Sequence, residues 1–284
     1  VGAHADLTAE AAVRALLGRD VARVSPLGGA YRVRLDGGTE VVAKRHAAVG
    51  ALNAEVAGLR WLSPDTDGCP RVPGVLAFDD QWLVMEVVPA GRPSRDTAEG
   101  FGRELARLHG LGATAPGSAP PGGPVDAWIG LAPMRNVPGT RWGEWYVEHR
   151  VLPYLRKAVD LGVLHDPAPI EAVCGRIGQL AGPDEPPARL HGDLWSGNVL
   201  WSDRVWLIDP AAHGGHRETD LAMLALFGCP HLERILSAYD ESAPLADGWR
   251  ERVALHQLFP LLVHTVLFGG GYGAQAVASA RSLA

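Results

Sequence analysis

Lysine and asparagine are nearly absent from this 284-residue chain. Lys44 and Lys157 are the only lysines, and Asn53, Asn136 and Asn198 the only asparagines. The other cations are arginines, a bias of the kind coding composition imposes. Each surviving lysine or asparagine therefore asks for a reason, because arginine does not replace a compact ammonium at a phosphate contact. Cysteine is scarce as well. Cys69, Cys174 and Cys229 stand far apart with no Cys-x-x-Cys spacing, which argues against a zinc site or disulfide framework and suits a reducing cytoplasm. There is no basic block and the net charge is −6. Nucleic acid, whose phosphates demand clustered cations, is not an expected partner. No apolar run reaches the roughly 20 residues that cross a bilayer. The first residues also lack the charged-then-apolar pattern of a secretory signal, so no membrane partner is expected. The chain starts with Val1 instead of Met and is read as part of a longer product.

What is present is a composition 47% hydrophobic, enough to bury a sizeable core in one large domain or two lobes. Residues 7–17 read as a helix capped by Thr8 and ended by Gly18. Alternating apolar and charged residues over 30–35 predict a strand, Asp36-Gly37-Gly38 a hairpin turn, and 40–44 the return strand. A helix over 47–62 and strands over 75–78 and 82–88 complete a strand-rich first part. Pro89 to Arg95 is a Pro/Gly break and a candidate hinge. Beyond it the pattern turns helical, over 97–108, over 142–161 with an interruption at Pro153, over 170–180, and through most of the tail from Asp220. Pro116 to Pro124 reads as a mobile loop. Two short strands, 199–201 and 205–208, flank a turn. The fold class is therefore α+β, with residues 1–89 as a small antiparallel β lobe carrying one helix and 90–284 as a larger, mainly helical lobe. A ligand belongs in the cleft between them.

The densest chemistry is at His191-Gly-Asp-Leu-Trp-Ser-Gly-Asn198, followed by Leu207-Ile-Asp209. Asp193 and Asn198 are five residues apart, and Asp209 follows eleven residues later at the end of an apolar strand. Phosphoryl transfer needs such a set. Mg²⁺ takes hard oxygen ligands, which an asparagine carbonyl and a carboxylate supply. A second carboxylate must orient the attacking hydroxyl and accept its proton. The protein-kinase catalytic loop uses the same spacing, with Arg where this chain has Gly192. An isolated His-Gly-Asp could as well be a turn; the spacing to Asn198 and Asp209 favours catalysis.

Lys44 ends a Val-Val-Ala-Lys strand, the pattern of a lysine that grips the α- and β-phosphates of ATP, and Glu55 lies eleven residues on, placed to pair with it. Gly28 and Gly29 stand where a phosphate-covering loop belongs. That loop is short, and a plain β-turn fits it too. Met85-Glu86-Val87-Val88 before Pro89 reads either as an adenine-binding hinge, with Glu86 and Val88 as contacts, or as an ordinary buried strand.

With these residues in view, the chain resembles the fructosamine kinase (ketosamine-3-kinase) family of the aminoglycoside phosphotransferase and choline kinase group, which has a protein-kinase-like fold. The Leu-Trp-Ser insert at 194–196 carries the resemblance. So do Asp209-Pro-Ala, Gly215-His-Arg-Glu218, Asp220-Leu-Ala-Met223, Trp128-Ile-Gly130, Glu148-His-Arg150 and Leu267-Phe-Gly-Gly-Gly-Tyr-Gly-Ala-Gln275. A monomer is the default expectation, and the cytoplasm the expected location. The resemblance implies an enzyme using ATP and Mg²⁺. It would phosphorylate C3 of a ketosamine, either a small molecule or a glycated peptide or protein. Asp193 would be the base, Asn198 and Asp209 the metal ligands, and Trp195 and His191 substrate contacts. The family's longer glycine loop and its cysteine are missing here. A kinase for an aminoglycoside or choline is the near alternative; an inactive nucleotide-binding module is the distant one. Three more expectations are structural. Asp220 braces the catalytic loop beside an Arg217–Glu218 ion pair, Gly269 to Gly271 allow close helix packing, and His109 is a satisfied core histidine.

Overall fold

The alternation of the first part folds as an antiparallel sheet. The computed structural model describes residues 8–64 and 67–283. Residue 7 and part of the 64–73 loop, both covered by the sequence reading, lie outside them. Helix α1 (Ala9–Leu17) starts at Thr8, whose hydroxyl accepts the Ala11 N–H, and stops at Gly18 in the left-handed region. Strands β1 (Val21–Leu27), β2 (Ala30–Leu35) and β3 (Glu40–Arg45) follow, then α2 (Ala51–Leu62), β4 (Val75–Phe78) and β5 (Trp82–Glu86), and the sheet runs β1-β2-β3-β5-β4. Helix α2 begins later than its periodicity suggests, because Gly50 is left-handed and ends the preceding loop. Helix α3 (Arg95–Gly110) begins earlier: the Ser94 hydroxyl accepts the Thr97 N–H at 3.1 Å and closes a capping box.

The helical part contains pieces the periodicity did not indicate. A small hairpin, β6 (Asp126–Ile129) and β7 (Ala132–Arg135), precedes α4 (Trp142–Tyr146). A π-helical turn over Val147–Val151 then leads into α5 (Leu152–Asp160). Pro153 offers no N–H to the His149 carbonyl, and the Arg150 guanidinium reaches that oxygen at 3.3 Å. Helices α6 (Ala168–Gly175) and α7 (Ile177–Leu180) come next. Short strands β8 (Ala188–Leu190), β9 (Val199–Trp201), β10 (Val205–Leu207) and β11 (His213–Gly215) form two pairs, β8 with β11 and β9 with β10. Helices α8 (Glu218–Leu226), α9 (Leu232–Ser242), α10 (Trp249–Phe268) and α11 (Tyr272–Arg281) close the described chain.

The two layers share a core. Leu52, Val56 and Leu59 of α2 and Leu83 and Met85 of β5 cluster with Phe101 and Leu105 of α3, Leu194, and Leu207 of β10. Burying a side chain such as Leu59 stabilises the fold by about 1.5–3 kcal/mol, so the cleft is held from beneath by apolar packing.

Three local expectations are corrected. Arg217 pairs with Glu185, at 2.7 and 2.8 Å, and not with Glu218. Glu218 instead receives both arms of Arg252, at 2.9 and 2.6 Å. Gly269 to Gly271 have open space where a Cβ would stand; Gly269 and Gly270 have φ near +60° and turn the chain between α10 and α11. The Pro116–Pro124 loop is pinned to β11, with Gly117 N–H on Gly214 O at 2.7 Å and Gly214 N–H on Ser118 O at 2.9 Å. His109 is buried as expected, between the Tyr239 hydroxyl at 2.8 Å and Asp220 at 3.2 Å.

Candidate active site

Strand β3 places Lys44 between Ala30 of β2 and Leu83 of β5. The strand's alternation turns Ala43 into the sheet's apolar face and Lys44 into the cleft. Its Nζ lies 2.9 Å from both Glu55 oxygens and 2.8 Å from Asp209 Oδ1. Burial disfavours the ammonium, but Glu55 and Asp209 outweigh it and raise its pKa above the usual value. Burial likewise pushes Glu55 up, against the pull of Lys44.

The segment after β8 is held by Asp220 at the start of α8. Its oxygens accept the N–H groups of His191 at 2.8 Å and Gly192 at 2.9 Å. Burial opposes the charge of Asp220, yet His109 and these N–H groups outweigh it and hold its pKa below the carboxylate norm. Gly192 has φ +81°, and a Cβ there would stand 2.1 Å from Ala211 O. Only glycine fits, which is a steric reason for its place in the motif. His191 is fully buried, with Nε2 3.0 Å from Ile208 O and Nδ1 accepting the Asp193 N–H at 3.3 Å. It lines neither of the two cavities that meet at this site; where the sequence suggested a substrate contact, its hydrogen bonds make it a strut of the loop.

Asn198 Nδ2 donates to Asp193 O at 2.8 Å and to Asp193 Oδ2 at 3.0 Å. That spends the amide nitrogen and leaves its carbonyl oxygen for another partner. Asn198 O in turn accepts the Ile208 N–H at 3.1 Å, which sets Asp209 beside it. Asp209 has φ +54°, a left-handed conformation uncommon outside glycine and concentrated at functional sites. Burial pushes Asp193 up to about 7, with Asp209 and Asp220 adding to the rise and the Asn198 hydrogen bond opposing it.

Two cavities meet here. One, of 820 Å³, runs under the β1–β2 turn and along the end of β5; Gly28, Gly29, Lys44, Glu86 and Val88 line it. Gly28 and Gly29 form a tight turn between paired Leu27 and Ala30, so the covering loop is two residues long. The Glu86 carboxylate accepts the Gly74 N–H at 3.1 Å, which ties β5 to the loop before β4. The other cavity, of 280 Å³, contains Asp193 and Glu55 and is walled by the β6–β7 hairpin and the end of α10. Lys44, Trp195, Asn198 and Asp209 line both. The Trp195 indole folds over Gly197, where a Cβ would stand 2.1 Å from the ring, and meets Phe227 edge-on at 6.2 Å.

The fructosamine kinase family model matches residues 27–283. The chain belongs to the fructosamine kinase family. A Synechocystis protein named Probable ketoamine kinase is 37% identical over 201 residues, 69% of this chain and 65% of that protein. The chain thus spans just under two thirds of that relative's length. The chloroplastic protein-ribulosamine 3-kinase of Arabidopsis thaliana is 34% identical over 73% of this chain and 63% of its own. A crystal structure of a fructosamine-3-kinase candidate from Thermobifida fusca superposes with TM-score 0.89 at 48% identity, covering 96% of this chain and 97% of that one. The streptomycin-ATP-APH(2'')-IIa ternary complex, at 13% identity and TM-score 0.63 over 100% of this chain and 99% of that one, shares the protein-kinase-like fold alone.

The family motifs also mark residues to which the sequence reading gave no role. Trp128 and Phe268 lie in quoted motifs and line the smaller cavity, as does Asn136, one of the three asparagines. His264 lines it too, from an apolar helix where nothing in the pattern set it apart. Asn136 is held by Arg150, whose Nη2 donates to its Oδ1 at 3.0 Å.

Proposed function

We propose that this chain is a ketosamine kinase, transferring the γ-phosphoryl group of ATP to the C3 hydroxyl of a fructosamine or ribulosamine adduct. The observation that carries this reading is the junction: a nucleotide-sized cleft and a smaller cavity meet at Lys44, Asn198 and Asp209, and Asp193 faces only the smaller one. A donor and an acceptor must meet at such a point.

ATP lies in the larger cleft, with adenine against the backbone of Glu86 to Val88 and phosphates under Gly28 and Gly29. Lys44, kept charged by Glu55, faces the phosphates. Asp209, and the Asn198 carbonyl freed by the bond of its amide to Asp193, form an all-oxygen donor set that fits Mg²⁺. The metal supplies neutralisation of the triphosphate charge. Asp193 orients the acceptor hydroxyl and takes its proton as that oxygen bonds to the γ-phosphorus and the bond to the β–γ bridging oxygen breaks, releasing ADP. A carboxylate near 7 suits this task, since it is ionised in part at neutral pH and basic enough to hold the proton. Trp195 packs against the sugar.

Choline or an aminoglycoside calls for carboxylates around its cationic groups. In the smaller cavity the carboxylates are Glu55 and Asp209, both paired with Lys44, and Asp193, the base of this mechanism. We take the lobe boundary at Pro89, the enzyme as a monomer, and the cytoplasm as its location. No helix among the described residues is long and apolar enough to cross a membrane.

The test is Mg²⁺-dependent ATP consumption with a ribulosamine, a fructosamine, a glycated peptide, choline and an aminoglycoside. Turnover confined to the ketosamines is expected. Turnover on choline or the aminoglycoside alone would overturn the acceptor while keeping the kinase.

A further inference from the structure

Leu131 and Phe268 are out of place for large apolar side chains. They are 71% and 63% exposed. Leu131 follows Gly130 in the two-residue turn of the β6–β7 hairpin, a position that ordinarily takes a polar residue. Phe268 ends α10, just before the left-handed Gly269. The turn and the helix end come from distant parts of the chain, yet both side chains line the cavity that holds Asp193. The lysine and carboxylates of that cavity are Lys44, Glu55, Asp193 and Asp209; His46 and His264 line it too, and the His264 ring lies 5.4 Å from that of Phe268.

We infer that Leu131 and Phe268 are specificity residues that read the substituent on the ketosamine nitrogen. The inference rests on the ketosamine reading of this site. With the sugar hydroxyl at Asp193, whatever is bonded to the nitrogen leaves through the mouth that these two side chains border. Methylenes there gain contact and lose water. The enzyme therefore favours adducts in which a longer aliphatic chain is bonded to the nitrogen.

The experiment measures kcat and KM for the ribulosyl adducts of methylamine, ethylamine and butylamine, with wild type, Leu131→Asn and Phe268→Ser. Leu131→Asn keeps a turn-forming residue at an exposed position, so folding survives it. In wild type, kcat/KM rises roughly two- to fourfold per methylene, through KM and not kcat. The butylamine-to-methylamine ratio drops toward one in each variant. A flat chain-length series in wild type, or an unchanged ratio in both variants, overturns the inference and leaves the kinase reading standing. No turnover of any adduct removes both.

Discussion

Glu218 and Asp193 are carboxylates in largely buried positions, yet they sit at opposite ends of the carboxylate range. Burial alone would raise both. At Glu218 the neighbouring His256 and the two-armed Arg252 outweigh burial and hold the group down at about 2. At Asp193 the one polar side-chain partner is the neutral Asn198 amide, and burial wins, giving about 7. Ligand atoms of His216, Glu218 and His256 lie within 4.8 Å of one another. Arg252 already occupies both oxygens of Glu218, so this group reads as a closed ion-pair network. The scaffold cluster is complete within the protein. In the cleft Asp193 has no cation in hydrogen-bond contact, and perturbed carboxylates of that kind cluster at functional sites.

The comparison can be broken first on the scaffold side. Arg252→Met strips Glu218 of its cation and should cost about 3–5 kcal/mol of stability by denaturant unfolding. A loss below about 1 kcal/mol would mean the pair braces nothing. On the cleft side, Lys44→Met should lower kcat/KM for ATP on the order of 10²- to 10³-fold; an unchanged ATP dependence would remove Lys44 from the phosphate site.

Acid sharpens the contrast. Burial holds His213 and His216 down at about 3, aided by Arg150 and His256 respectively. Their unfolded pKa is about 6.5. Above that value neither state binds the proton. Below it the unfolded chain does and the folded one does not, so stability falls as pH falls toward 3. At pH 5 the loss is about 2 kcal/mol per imidazole, and flat stability between pH 7 and 5 would contradict the assignment. The smallest effect concerns rate. As pH drops below about 7, Asp193 gains a proton and kcat/KM should fall about tenfold per unit. A profile level down to pH 5 would show a different base.

The large features were legible because they rest on spacing and period. Strand β2 announced itself by alternation and its pairing with β3 by the Asp36-Gly37-Gly38 turn; β1, with its irregular Val-Ala-Arg-Val-Ser-Pro-Leu run, did not. The residues from His191 to Asp209 stood out because three oxygen-bearing side chains recurred at fixed intervals in a chain poor in asparagine. What stayed hidden was short or tertiary. The β6–β7 hairpin has four-residue strands, and β8 and β11 have three each, too few for a period to appear. The start of α3 was misjudged because Ser94, not Thr97, holds the cap. His191 looked like a substrate contact because its motif is catalytic; only the fold shows its ring pointing at Ile208 O. The partners of Arg217 and Glu218 lie 32 and 34 residues away in sequence, beyond any local pattern.

The most direct test is Asp193→Asn, assayed for ATP binding by equilibrium titration and for ketosamine phosphorylation with Mg²⁺. The amide nearly matches the carboxylate in size but cannot accept the proton. The account predicts ATP affinity close to wild type and turnover reduced on the order of 10²- to 10⁴-fold. Turnover near wild type would take the base away from Asp193 and with it the mechanism.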